Sequence, residues 1–315
     1  VLADLTDLTE SLTPLALLGI PIALIGAVFL AVGAQLQHRG VGKVDAPVPQ
    51  VKTVETLTPP VHSTAGLSVG QMLALARRPS WLFGTLMLGL AIVAQLTSLA
   101  LSPITLVQPL GAVALVITAI MNARITGVKI DRFSARAIGF CVLGVAVFVT
   151  LAAFTTTSRP VSDTQLIIIL SILAGVTAAF GALFGVYRKR FKAIMYIIGA
   201  GVLYGFVATL AKVVIDRTKT GDFFEMLTLV CLGALLLATV LGGYFVQNAY
   251  ASGPPDLVIA GLTVIDPLVA VSIGIVVLNE AAGAPLFAVI GFIVAGIIAM
   301  YGVFELAKHH PQSQH

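Results

Sequence analysis

Two stretches of this sequence place a hydrogen-bonding side chain directly before a proline, inside runs that are otherwise apolar. Gln108 precedes Pro109, and Asp266 precedes Pro267. A proline within a helix cannot donate to the carbonyl four residues back, so the carbonyls of Thr105 and Thr263 are expected to be free. A free carbonyl beside a side-chain oxygen is what an ion or a polar solute would bind. Asp266 is the sharper signal, because an ionised carboxylate deep in a bilayer costs about 2.5–3.5 kcal/mol on insertion scales. It should be paired, protonated or functional, and a role in binding or coupling is favoured over a structural cap. It is also the candidate metal ligand, on an acid side that is sparse for a divalent-ion site, since a cation that keeps several waters can be held through one or two carboxylates. Gln95, Lys212 and Tyr204 complete the polar groups placed near a solute path. Lys212 can snorkel to the interface or partner Asp266. Gln95 and Gln108 can glue helices or line the path, and Tyr204 can line it or pack. Glu280 falls at a membrane boundary and reads as solvated.

Catalysis finds no support. There is no Ser/His/Asp arrangement, no metal-ligand cluster and no phosphate-binding loop, and the five histidines (38, 62, 309, 310, 315) lie in loops or the tail. The chain is expected not to be an enzyme and to need no cofactor. Without a nucleotide-binding motif, any energy input must come from a proton or ion gradient. Cys141 and Cys231 sit in apolar runs and read as small buried hydrophobes.

These residues must be held by elements that live in lipid. Of 315 residues, 58% are apolar and only 10% charged, against roughly 25% charged in a soluble domain. At about 20 residues per crossing, the apolar runs predict nine spans. They cover 15–37, 81–101, 103–122, 134–154, 164–187, 193–215, 226–250, 256–278 and 285–307. The first run follows acidic residues and ends at Gln35-Leu36-Gln37-His38-Arg39, so it reads as a span and not as a cleaved signal. The second and third spans, separated only by Ser102-Pro103, must form a tight hairpin. Gly66 to Ala76 is too short to cross and has the pattern of an interfacial helix. The Pro- and Thr-rich stretch 43–65 reads as a cytoplasmic loop.

Charge gives the bundle a direction. With the N-terminus outside and the C-terminus inside, 14 of the 18 basic residues fall on the inner side, as the positive-inside rule requires. The basic excess is therefore a topology signal and not a nucleic-acid footprint. Gly19, Gly26 and Gly33 line one face of the first span, and Gly181/Gly185 and Gly201/Gly205 form GxxxG pairs. Such residues let helices approach closely in lipid, and packing explains them better than substrate contact.

The sequence also resembles itself. QPLGAVALVITAIMN (108–122) aligns with DPLVAVSIGIVVLNE (266–280), with Pro109 on Pro267, Leu110 on Leu268, Ala112 on Ala270 and Val113 on Val271. The two copies run in opposite directions across the membrane. Inverted repeats with proline-interrupted helices point to a secondary transporter with a midplane site. The chain then divides into an N-terminal half (1–154, with the loop 38–80) and a C-terminal half (155–315) of one integral domain.

Beyond these readings, SPITLVQPLGAVALVITAI (102–120) resembles the corresponding hairpin of the NIPA magnesium transporters, within the drug/metabolite transporter superfamily. GAVFLAVGAQLQHRGVGK (26–43) is similar to their first helix and basic turn. GVLYGFVATLAK (201–212) and the segment 249–280 look like second-half helices of the superfamily. The family hairpin carries a small residue where this chain has Gln108. The resemblance implies an all-helical inverted-repeat bundle in the plasma membrane of a bacterium, carrying magnesium or another small polar solute by alternating access. Expected partners are the bilayer and the solute, with a homodimer one assembly open to such a bundle. An exporter of a small organic or lipid-linked solute on the same fold is the alternative. A non-transporting membrane scaffold is the reading from another class.

Overall fold

The computed structural model describes residues 14–42, 79–127, 132–187, 193–252 and 255–308. The expected loop at 43–65, the interfacial helix at 66–76 and the basic run 188–192 lie outside the described residues. The elements are α1 (Pro14–Gly42), α2 (Pro79–Leu101), a short α3 (Ile104–Val107), a 3-10 turn (Gln108–Gly111) and α4 (Ala112–Thr126). They continue with α5 (Arg132–Thr155), α6 (Asp163–Tyr187), α7 (Ala193–Thr220), α8 (Met226–Ser252), α9 (Pro255–Val276) and α10 (Leu286–Lys308). Among the described residues nine spans, with α3 to α4 as one of them, are long and apolar enough to cross a membrane.

Most helix ends fall within a few residues of the apolar runs. Two helices run five residues past their predicted ends, α1 to Gly42 and α7 to Thr220. Arg217 and Lys219 in the last turn of α7 complement the carbonyl end of the helix. Gly221, at φ 92°, then supplies the left-handed residue of a C-terminal cap, closed by Asp222 N–H to Arg217 C=O at 3.0 Å. The two prolines behave differently. At Pro109 the span loosens into the 3-10 turn. Pro267, by contrast, sits within a continuous α9, so the expectation that both prolines interrupt their helices holds only for the first. Transmembrane helices tolerate such a proline when neighbours support the freed backbone, and α7 packs tightly there. A Cβ built on Gly201 would meet Ile265 at 2.7 Å, and one on Gly205 would meet Val269 at 2.7 Å.

The glycines sort by what they touch. Gly26 and Gly33 face α2, where built Cβ atoms would lie 3.1 Å from Ala94 and 3.0 Å from the Gly84 carbonyl. α5 and α10 approach backbone to backbone: a Cβ on Gly144 would be 2.4 Å from Ala299 N, and one on Gly302 would be 2.3 Å from Cys141 N. Gly181 and Gly185 meet nothing within 4 Å. Helix packing is thus α1 on α2 and α4, α5 on α10, and α7 on α8 and α9.

Candidate functional site

The α1, α2, α7 and α9 helices and the start of α4 surround a cavity of about 450 Å³. Its polar lining comes from Gln95 on α2, Gln108 on the 3-10 turn, Tyr204 on α7, and Thr263 and Asp266 on α9, with Pro267 beside them. The rest of the wall is apolar, including Leu30, Leu99 and Val207. Periodicity explains the convergence on α9, because Thr263 and Asp266 are three residues apart and share a face. The 3-10 turn, forced by Pro109, brings Gln108 to the same space.

Asp266 is the anomaly. Its Oδ1 is buried, and no described residue offers it a hydrogen bond. A buried polar atom without a partner costs about 1–3 kcal/mol, more if charged, so this atom is suited to a ligand that supplies a donor or a positive charge. The Thr263 hydroxyl donates to the Ile259 carbonyl at 2.8 Å, which leaves its oxygen as an acceptor. The Tyr204 ring lies against α8, 3.2 Å from where a Cβ on Gly242 would sit, and this contact fixes one side of the cavity. Among the described residues no group of three or more His, Cys, Asp or Glu could hold a metal ion. Any cation bound here would have Asp266 as its one protein carboxylate.

Two of the sequence candidates stand elsewhere. Lys212 is 2% exposed and does not reach Asp266. Its Nζ donates to the Leu99 carbonyl at 2.8 Å and pairs with Asp216 at 3.2 Å. It neither snorkels nor neutralises the cavity. Thr105 also faces away from the cavity, donating from Oγ1 to Glu280 at 2.6 Å.

Glu280 is the residue that sequence reasoning misplaced. It is 3% exposed, not solvated. Its carboxylate accepts from Ile104 N–H at 2.8 Å, Thr105 N–H at 2.9 Å and the Thr105 hydroxyl. Burial pushes this carboxyl up from its ordinary range, while the Thr105 and Ile104 hydrogen bonds and the Lys212 charge oppose the shift. The turn that carries it is stapled on all sides. Asn279 takes φ 56°, Glu280 N–H bonds the Gly274 carbonyl, Thr157 N–H bonds the Glu280 carbonyl, and the Gln165 amide reaches the Val277 carbonyl. A signal was present in the sequence: Glu280 sits at the offset from Pro267 that Asn122 holds from Pro109. The helix break at Ser102-Pro103 also leaves two N–H groups in need of acceptors.

A second, almost wholly apolar pocket of about 270 Å³ lies across α9 from the cavity. It is walled by Pro109, Phe148, Phe292 and Met300 and shares Thr263 and Pro267 with the polar cavity. On the face of the bundle carrying the α7–α8 turn, Arg217 pairs with Asp163 and with Glu225.

The nine apolar spans among the described residues make the chain a multi-pass membrane protein. It is 23% identical over 265 residues to an uncharacterized protein of Corynebacterium glutamicum, covering 84% of this chain and 86% of that one. No protein-family model matches the chain, and no solved structure does.

Proposed function

We propose that the protein is a secondary transporter that carries a small polar or cationic solute across the plasma membrane by alternating access, with the solute bound at Asp266. The observation that carries this reading is the buried, unpartnered Asp266 oxygen in a cavity of about 450 Å³ within the span region. A carboxylate there is costly unless a solute, a proton or an ion neutralises it during a cycle. The convergence of Gln95, Gln108 and Tyr204 supplies further hydrogen-bonding groups. The resemblance of the 102–120 hairpin to the NIPA family places magnesium first among solutes. A magnesium ion would enter with most of its waters, bonded through them to the amides and held by one carboxylate. The repeat of 108–122 in 266–280 supports a drug/metabolite transporter fold with two inverted halves.

One observation favours a second solute class. Most of the cavity wall is apolar, and the apolar pocket across α9 shares Thr263 and Pro267 with it. An organic or lipid-linked solute would use such walls, and hydrated magnesium would not.

Proteoliposomes loaded in turn with a magnesium dye and a pH dye test the first reading. Wild-type protein is expected to carry a magnesium flux that Asp266→Asn lacks while remaining folded in the membrane. Normal flux by Asp266→Asn would remove Asp266 from the path. Absence of both fluxes, with movement of a fluorescent lipid between leaflets, would give the second reading precedence. Absence of all three would leave the scaffold reading.

A further inference from the structure

The hairpin between α2 and α3 ends at the cavity wall, at Leu99 and Gln108, and is fastened by charged side chains. Ser102-Pro103 interrupts the helical run between α2 and α3, and such a break leaves the last carbonyls and first N–H groups without helical partners. Inside a membrane protein these groups must be satisfied by other parts of the protein. On one side of the break, the Leu99 and Ala100 carbonyls accept from the ammonium groups of Lys212 and Lys219. On the other side, the Ile104 and Thr105 N–H groups donate to the Glu280 carboxylate. All the charged groups come from the C-terminal half. Positive charges meet the carbonyl end of the break, and the negative charge meets the N–H end.

The fastened stretch borders the cavity. Leu99, whose carbonyl Lys212 holds, also lines it, as do Ala211 beside Lys212 and Gln108 just beyond α3. Residues 102–107 are buried throughout. Asp216 pairs with both Lys212 and Lys219, at 3.2 Å and 3.3 Å.

We propose that the 99–105 hairpin is a gate over the cavity. Lys212 and Glu280 are its latch, acting as positioning residues that hold the break closed through its backbone. Opening toward this face requires the hairpin to part from α7 and from the 277–284 turn. The charged hydrogen bonds then exchange backbone partners for water. The meaning of the gate rests on the transport reading, but its existence does not.

Spin labels at Leu101→Cys and Ala282→Cys, in a chain with Cys141→Ala and Cys231→Ala, read the separation of hairpin and turn by double electron–electron resonance in lipid nanodiscs. Lys212→Met and Glu280→Gln are each expected to raise the ratio of long to short distances by about tenfold, the factor that losing a charge-assisted hydrogen bond gives a two-state equilibrium. Lys212→Arg, which keeps a donor, should restore the short distance. An unchanged ratio in both Lys212→Met and Glu280→Gln overturns the proposal. Should either variant fail to fold, hydrogen exchange of the unmodified protein decides. Amides 104 and 105 should exchange faster than those in the middle of α7, and equal protection overturns the gate. No solute is needed for either measurement. A shifted ratio without any flux would therefore sink the transport reading and leave the gate standing.

Discussion

Replacing Glu280 with alanine separates the two readings of that residue by its magnitude. If Glu280 were a solvated side chain at a membrane boundary, its removal would change stability by no more than about 0.5 kcal/mol. In the structure it is the acceptor for two buried backbone N–H groups, at 2.8 and 2.9 Å, and for the Thr105 hydroxyl. The hydroxyl can turn toward another acceptor, so only the two N–H groups are counted. Each buried donor left without a partner costs about 1–3 kcal/mol, and Glu280→Ala should therefore lose about 2–6 kcal/mol. Glu280→Gln keeps one acceptor oxygen and sets its NH₂ against a backbone donor, so it should lose about half as much. Reversible unfolding in mixed micelles, followed by circular dichroism, measures both. Adding Thr105→Val to each variant gives a double-mutant cycle that isolates the direct contact. A loss below about 0.5 kcal/mol for Glu280→Ala would refute the reasoning, because no buried donors could then depend on it.

Other expectations follow from the same contacts. Gly302→Ala drives a methyl against the Cys141 backbone at the α5–α10 crossing and should cost about 1–3 kcal/mol by overpacking. Gly233→Ala in α8, where nothing lies within 4 Å, should be neutral or slightly stabilising in the same unfolding measurement. Ser98→Ala removes a buried 2.8 Å hydrogen bond from α2 to the Gly19 carbonyl of α1 and should cost about 1 kcal/mol. An unchanged melting temperature would show that this bond adds nothing to the helix pair. Asp266→Asn should retain the wild-type fold while losing solute flux, which side-by-side melting and proteoliposome assays check.

The sequence by itself determined the number and approximate limits of the apolar spans among the described residues. Membrane crossing depends on apolar length, which adds up residue by residue along the chain and needs no knowledge of contacts. It also brought Gln95, Gln108, Tyr204, Thr263 and Asp266 forward, because a polar group in an apolar run is conspicuous wherever it later packs. The tertiary structure decided which of these share a space. Lys212 looked available to Asp266 but is held by a carbonyl 113 residues away in sequence. Glu280 looked exposed but caps backbone groups 176 and 175 residues away. Pro267 looked like a helix breaker, yet α9 runs through it under the close packing of Gly201 and Gly205. In the two charged cases the side chain follows the unmet backbone groups of a distant segment, and in the third the proline is accommodated by a neighbouring helix that packs closely on it. Where those groups lie depends on how the chain breaks and folds back, which hydropathy along the sequence does not encode.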